Sequence, residues 1–343
     1  MTVRVRLTAI LLCALLLPGV LVGCGGREEP GQQTLEAIEG GAAEFSRGRT
    51  ERVPVPPPDS GELLDELIRT YSGSWTVPRL VPISPEEMDE IEGRSEQDPG
   101  SNASAGGREE LLALFRTAYQ NSDEMLRFTA APGFVPDGGM LEDIYISLRR
   151  EAPEEVFCVS SWSWSVTGNQ YSIVIRYDLP REELLRMKEE TRQAVEQAAG
   201  TLRGEGSDDY TLTRAVNEYL CDTVAYPDAE PYSSQSHSPY GALVEGVAVC
   251  DGYSTAAMLL LRELGVECDL VVGESQGGSH AWNLVKVDGQ WYQLDVTWND
   301  GCSGTLGGGR EEFFLITDEK MRESRVWDES QYPPSAPVPY PGH

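Results

Sequence analysis

The stretch Ser279-His280-Ala281-Trp282-Asn283-Leu284-Val285-Lys286-Val287-Asp288-Gly289-Gln290-Trp291-Tyr292-Gln293-Leu294-Asp295-Val296-Thr297-Trp298 holds two alternating runs joined by Asp-Gly. This is the strongest short-range signal of a β-hairpin. A two-residue turn at Asp288-Gly289 puts Val287 opposite Gln290, and the same pairing continued outward puts Asp295 opposite Trp282 and Thr297 opposite His280. Because side chains alternate, His280, Trp282, Asp295 and Thr297 then share one face, and His280 and Asp295 are diagonal neighbours with Cα atoms about 7–8 Å apart. An imidazole and a carboxylate close that gap by hydrogen bonding. Ala281, Val285, Val287, Tyr292, Leu294 and Val296 form the other face, the one expected to be buried.

Upstream, Gly246-Val247-Ala248-Val249-Cys250-Asp251-Gly252-Tyr253 runs into an Ala- and Leu-rich helix from Ser254 to Leu264, stopped by Gly265. Val266 to Gly273 follows as a strand. Cys250 stands at the start of that helix, where free N–H groups and the positive end of the macrodipole favour thiolate over thiol. Cys250, His280 and Asp295 thus supply a nucleophile, a base and a group that orients the base. The backbone N–H of Cys250 can donate toward an oxyanion, with Tyr240 and Gln235 as guesses for a second donor. His237, His280 and His343 are the three histidines, so few other bases are available. Without paired CxxC or HxxxH spacing, a zinc site is not expected, and neither is any other metal or cofactor. Apart from Cys13 and Cys24, five cysteines remain. Cys158, Cys221, Cys268 and Cys302 are possible disulfide partners for one another or for Cys250, and full pairing within one chain leaves one over, expected to be Cys250.

The 343 residues carry 27 Lys and Arg against 56 Asp and Glu, a formal charge of −29 that repels a phosphate backbone and argues against nucleic-acid binding. Arg4 and Arg6 precede an apolar run from Leu7 to Val22 that contains Pro18 and Gly19, which reads as an export signal rather than a stable membrane span. It ends in Leu21-Val22-Gly23-Cys24, similar to a bacterial lipoprotein box in which the cysteine receives a diacylglycerol. The expected organisation is a signal peptide over 1–23 and a flexible linker over 24–60. An accessory α+β region over 61–205 follows, with a disordered loop near 95–107, then a catalytic domain over 206–330 and a Pro-rich tail over 331–343. Within the accessory region, Glu62 to Tyr71 and Arg108 to Tyr119 read as short helices. From Met140 to Tyr177 the pattern turns to period two, with a hairpin around Thr167-Gly168-Asn169 whose Trp and Tyr stripe reads as sheet packing. Pro180 opens a helix ending near Gly200, and Ser207-Asp208-Asp209 opens another.

Tyr240-Gly241-Ala242-Leu243, Cys250-Asp251-Gly252-Tyr253-Ser254, Ser279-His280-Ala281-Trp282-Asn283-Leu284-Val285 and Trp291-Tyr292-Gln293-Leu294-Asp295-Val296-Thr297-Trp298 together closely resemble the transglutaminase-like superfamily. They look most like its bacterial cytokinesis-type branch of transglutaminase/protease proteins. The resemblance covers roughly Thr211 to Trp327. It implies that Cys250, His280 and Asp295 form a catalytic triad, that Thr211 to Tyr226 is the helix preceding the core, and that Phe313 to Asp318 is the strand following it. Where relatives tend to carry His-Asp on the preceding helix, this chain has Asn217-Glu218.

The implied fold is α+β, a papain-like core in which a Cys-bearing helix packs on an antiparallel sheet. The implied reaction is acyl transfer through a thioester on a protein or peptide amide. With a lipid on Cys24, the expected location is the extracytoplasmic side of a bacterial cell membrane. The rival expectations are a non-catalytic binding or assembly module of the same fold and a disulfide-stabilised surface protein in which Cys250 is oxidised.

Overall fold

Asp288 and Gly289 have φ values of 51° and 79°, the left-handed pair that a two-residue type I′ turn requires. The turn fixes the register: Val287 lies opposite Gln290, and the pairing runs on to Asn283 opposite Leu294. The structure, a computed structural model, describes residues 78–94, 103–227, 232–275, 278–301 and 310–341. The expectations for the export signal, Cys24, the linker, the helix over 62–71 and Cys302 lie outside these residues.

The first half of the described chain builds a five-stranded mixed sheet. Its elements are β1 (Arg79–Leu80), α1 (Pro85–Arg94), β2 (Ser104–Ala105), α2 (Arg108–Asn121), β3 (Met125–Ala130), α3 (Gly138–Glu151), β4 (Val159–Thr167) and β5 (Gln170–Tyr177). Strand order is β1-β4-β5-β3-β2. The hairpin of β4 and β5 forms as expected, with Gly168 at φ 67° in its turn. Two expectations are corrected. The end of the proposed loop over 95–107 pairs with β3 as β2. Period two also does not begin at Met140, because Leu141, Ile144, Tyr145 and Leu148 bury one helical face of α3, which Asp137 caps by accepting the N–H of Met140.

The second half opens with α4 (Arg181–Leu202) and α5 (Asp209–Thr223), the latter capped by the Asp208 side chain. Next come α6 (Cys250–Glu263), β6 (Cys268–Ser275), β7 (Gly278–Val287), β8 (Gln290–Leu294), α7 (Val296–Asn299), α8 (Asp318–Met321) and β9 (Arg325–Trp327). The four strands form a sheet in the order β8-β7-β6-β9, antiparallel throughout. This is the mixed α+β fold expected, a Cys-bearing helix on an antiparallel sheet. Helices α4, α5 and α6 bury Val216, Leu220, Tyr253, Ala257 and Leu261 against Ala281, Val285, Val287 and Leu294 of the hairpin.

Three details depart from the expectation. The opposite face of the hairpin is buried too, with Trp282 and Leu284 against Phe313, Ile316 and Met321. Strand β8 stops at Leu294, because Asp295 turns from the ladder to cap α7, so Thr297 does not pair with His280. Phe313 to Asp318 is not a strand: Leu315 takes φ 50°, which interrupts extended backbone, and a single bridge joins Ile316 to Gln293. The Pro-rich tail is docked as far as it is described. Ala336 N–H donates to the Trp291 carbonyl at 2.8 Å and the Tyr340 hydroxyl donates to Asp288 at 2.7 Å.

Candidate active site

Cys250 is the first residue of α6, and extended Val249 precedes it. The turn over 235–238 lies against this helix start, with Val249 N–H donating to the Ser236 carbonyl at 2.9 Å. Gly252 permits the approach, since a Cβ there would stand 2.5 Å from the Ser236 carbonyl oxygen and 3.0 Å from that of Ser238. The Cys250 sulfur accepts backbone N–H groups from Ala281 and Asp251. It therefore sits against β7 one residue beyond His280.

His280 Nε2 lies 2.7 Å from Asp295 Oδ2. The carboxylate can only accept, so Nε2 carries the proton and Nδ1 is the ring nitrogen left to take one. Trp282 stacks on the imidazole with centroids 5.7 Å apart, and Trp298 meets it edge-on at 6.3 Å. Trp282 is itself fixed, its indole N–H donating to Gln293 Oε1 at 2.7 Å while Gln293 Nε2 donates to Asp318 at 2.7 Å.

Asp295 is wholly buried and fully engaged. Oδ2 also accepts Arg325 Nε at 3.0 Å and Nη2 at 2.6 Å, and Oδ1 accepts the Trp298 N–H at 3.2 Å. Burial alone pushes this carboxyl up. The imidazole of His280 and the guanidinium of Arg325 outweigh it and hold Asp295 below the ordinary carboxylate range. Arg325 lies in an aromatic slot, 4.4 Å from the Trp298 ring centroid and 4.0 Å from that of Phe313.

The structure thus brings Cys250, His280 and Asp295 to one place, but it corrects the thiolate expectation. Cys250 is 7% exposed. Burial, followed by the neighbouring Asp251 carboxylate, pushes its thiol up from the ordinary range, against the two N–H groups on the sulfur. A helix terminus is worth about 2 kcal/mol at most, whereas burial shifts a group by up to about 3–5 pKa units. Burial therefore favours the thiol over the thiolate at Cys250.

Cys158, Cys250 and Cys268 are buried free thiols, so Cys250 stands outside any disulfide as expected, while Cys158 and Cys268 do not pair as the expectation allowed. Tyr240 packs with Phe157, Cys158, Leu184 and Met187, next to Arg186, and belongs to that cluster. Gln235 lies in the turn against the start of α6.

Several residues of the site escape sequence reasoning. Arg325 has no motif around it, and its role shows only when β9 joins β6. Asn217 accepts the Asn299 amide at 2.9 Å, while Asn299 Oδ1 accepts the Phe313 N–H at 2.9 Å. Phe313 returns its carbonyl to the Asp295 N–H at 2.9 Å. This relay ties α5 to the turn that presents Asp295.

Residues 196–296, which run from the end of α4 through the hairpin to Val296, match the family model of the transglutaminase-like superfamily. This part of the chain is a transglutaminase-like domain, of a superfamily related to cysteine proteases. Kyphoscoliosis peptidase of Homo sapiens is 27% identical over 144 residues, 37% of this chain, which spans 22% of that protein's length. The mouse protein matches equally. Among solved structures, a TGase aligns at TM-score 0.29 with 15% identity, covering 69% of this chain and 78% of its own. The periplasmic domain of TgpA from Pseudomonas aeruginosa aligns at TM-score 0.28 with 17% identity, covering 40% and 57% respectively.

Proposed function

We propose that the protein is a membrane-anchored thiol enzyme that transfers acyl groups from protein or peptide amides through Cys250, His280 and Asp295. The observation that carries this reading is the bond of 2.7 Å from His280 Nε2 to Asp295, with the Cys250 sulfur on the N–H of the residue after His280. Because burial favours the thiol, His280 Nδ1 takes its proton as the sulfur–carbon bond forms. The Cys250 backbone N–H donates to the oxyanion. Collapse breaks the carbon–nitrogen bond, and the imidazolium returns its proton to the departing amine. Water or an amine then attacks the thioester and releases the thiol. The name peptidase carried by the curated relatives favours peptide amides as donors.

Trapping the acyl-enzyme from cell-surface extract and locating it by mass spectrometry tests the chemistry. The expected adduct is on Cys250 and absent from His280→Ala; a Cys250→Ala protein with full amide-cleaving activity refutes the proposal. The lipid anchor rests on the sequence at Cys24. Cys24→Ala is expected to move the protein from the membrane fraction to the soluble one.

A further inference from the structure

Asp251, beside the proposed nucleophile, is 1% exposed. Its Oδ1 lies 3.0 Å from His237 Nδ1 and its Oδ2 lies 3.3 Å from Arg149 Nη2. Arg149 comes from the last turn of α3, in the layer of the five-stranded sheet and outside the family-matched segment. It is buried like its partner, with its side chain 7% exposed, and its guanidinium lies 6.0 Å from the Tyr145 ring. Arg149 Nε is buried without a hydrogen-bond partner. Stability alone favours an apolar side chain over a half-satisfied buried guanidinium.

We infer that Arg149 is a positioning residue of the Cys250 site: it neutralises the buried Asp251 carboxylate, so that the sulfur can become anionic beside it. The inference rests on Cys250 being the nucleophile. The charged and titratable groups facing the sulfur are few. Asp251 comes from its own helix with His237 of the turn over 235–238 on its carboxylate, Tyr226 from the segment after α5, and His280 from β7 with Asp295 and Arg325 behind it. Arg149 comes from α3, with its electrostatic reach extending to the sulfur. Two carboxylates, Asp251 and Asp295, oppose thiolate formation, and each has one buried guanidinium on it. Arg325 comes from β9 of the four-stranded sheet, while Arg149 must be supplied by the preceding region. That region therefore completes the site.

The test is the pH profile of Cys250 alkylation by iodoacetamide, located by peptide mapping in the full chain. Arg149→Met leaves Asp251 with His237 as its partner but without a guanidinium, moves the inflection up and slows labelling at neutral pH about tenfold, the effect of about one pKa unit. Asp251→Asn leaves Arg149 uncompensated, moves the inflection down and speeds labelling, and the double variant returns toward wild type. Arg149→Lys keeps the charge and shifts the profile less. Loosening of the structure by itself moves both single variants in one direction. Shifts of the same sign, or an unmoved inflection in folded Arg149→Lys and Asp251→Asn, overturn the inference. If wild-type labelling does not depend on His280, the nucleophile reading fails, and the catalytic meaning of Arg149 falls with it. Retained His280 dependence with an unmoved inflection removes Arg149 alone.

Discussion

Replacing Arg325 with Met strips the cation from Asp295. Both side chains are fully buried, and Arg325 makes two of the four hydrogen bonds to the carboxylate. Methionine fills much of the slot between Trp298 and Phe313, so the loss is mainly electrostatic. Breaking a buried pair by removing one partner costs about 3–5 kcal/mol, because the remaining charge is uncompensated. At roughly 2–4 °C per kcal/mol for a domain of this size, melting should fall by about 6–20 °C. The loss should depend on pH with a definite sign. Asp295 is held below its unfolded value of 3.8. Its contribution is therefore fully present above that value and is lost as pH falls through the lower folded one. Arg325→Met raises the folded value, so the variant gains less stability than wild type as pH rises past 3.8. The double variant Asp295→Asn, Arg325→Met removes both charges and should recover most of the stability without His280-dependent labelling of Cys250. Calorimetry between pH 3 and 7 with iodoacetamide labelling separates these outcomes. An Arg325→Met protein within 1 kcal/mol of wild type across that range refutes the reasoning, since the carboxylate then does not need the guanidinium.

Asn299→Ala cuts the relay between Asn217 and Phe313 and leaves a buried N–H unpaired. The expected cost is about 1–3 kcal/mol in urea unfolding, with slower Cys250 labelling because the Asp295 turn is no longer tied to α5. Gly252→Ala places a methyl 2.5 Å from the Ser236 carbonyl oxygen and should cost about 1–3 kcal/mol by overpacking; a neutral thermal melt contradicts the close approach. Cys158 is pushed up to about 12 and Cys250 and Cys268 are raised by burial. Their contribution is complete below the unfolded value of 9.0 and is lost as pH rises toward the folded ones. Thermal stability should therefore decline above about pH 9, and Cys268→Ala should flatten part of that decline.

The hairpin of β7 and β8 was legible because Asp288-Gly289 sets a register that local chemistry determines, and Cys250 because helix signals follow it directly. The meeting of His280 with Asp295 was also legible, although by a different route. The ladder ends at Leu294, and Asp295 reaches the ring from the cap of α7 rather than from a continued strand. Periodicity cannot foresee that exchange, because an aspartate that would fit a strand face fits a helix cap equally well. Helix α3 was missed although Leu141, Ile144, Tyr145 and Leu148 have helical spacing, because the stronger alternation of β4 and β5 extended the reading too far upstream.

The buried arginines were not legible at all, and they decide the electrostatics of the site. Asp251 and Asp295 each hold a histidine on one side and an arginine on the other, His237 with Arg149 and His280 with Arg325. Each carboxylate is close in sequence to a motif, whereas each arginine is distant from it, at 102 residues for Arg149 and 30 for Arg325. Solvated arginines are the commoner case, so nothing in the local sequence marks these two. A thiol that burial keeps neutral becomes an anion beside two buried carboxylates only where both are compensated. The reactivity of Cys250 is accordingly set from two sides, by β9 through Asp295 and by α3 through Asp251. Losing either cation should slow the sulfur's ionisation, even with Cys250, His280 and Asp295 all in place.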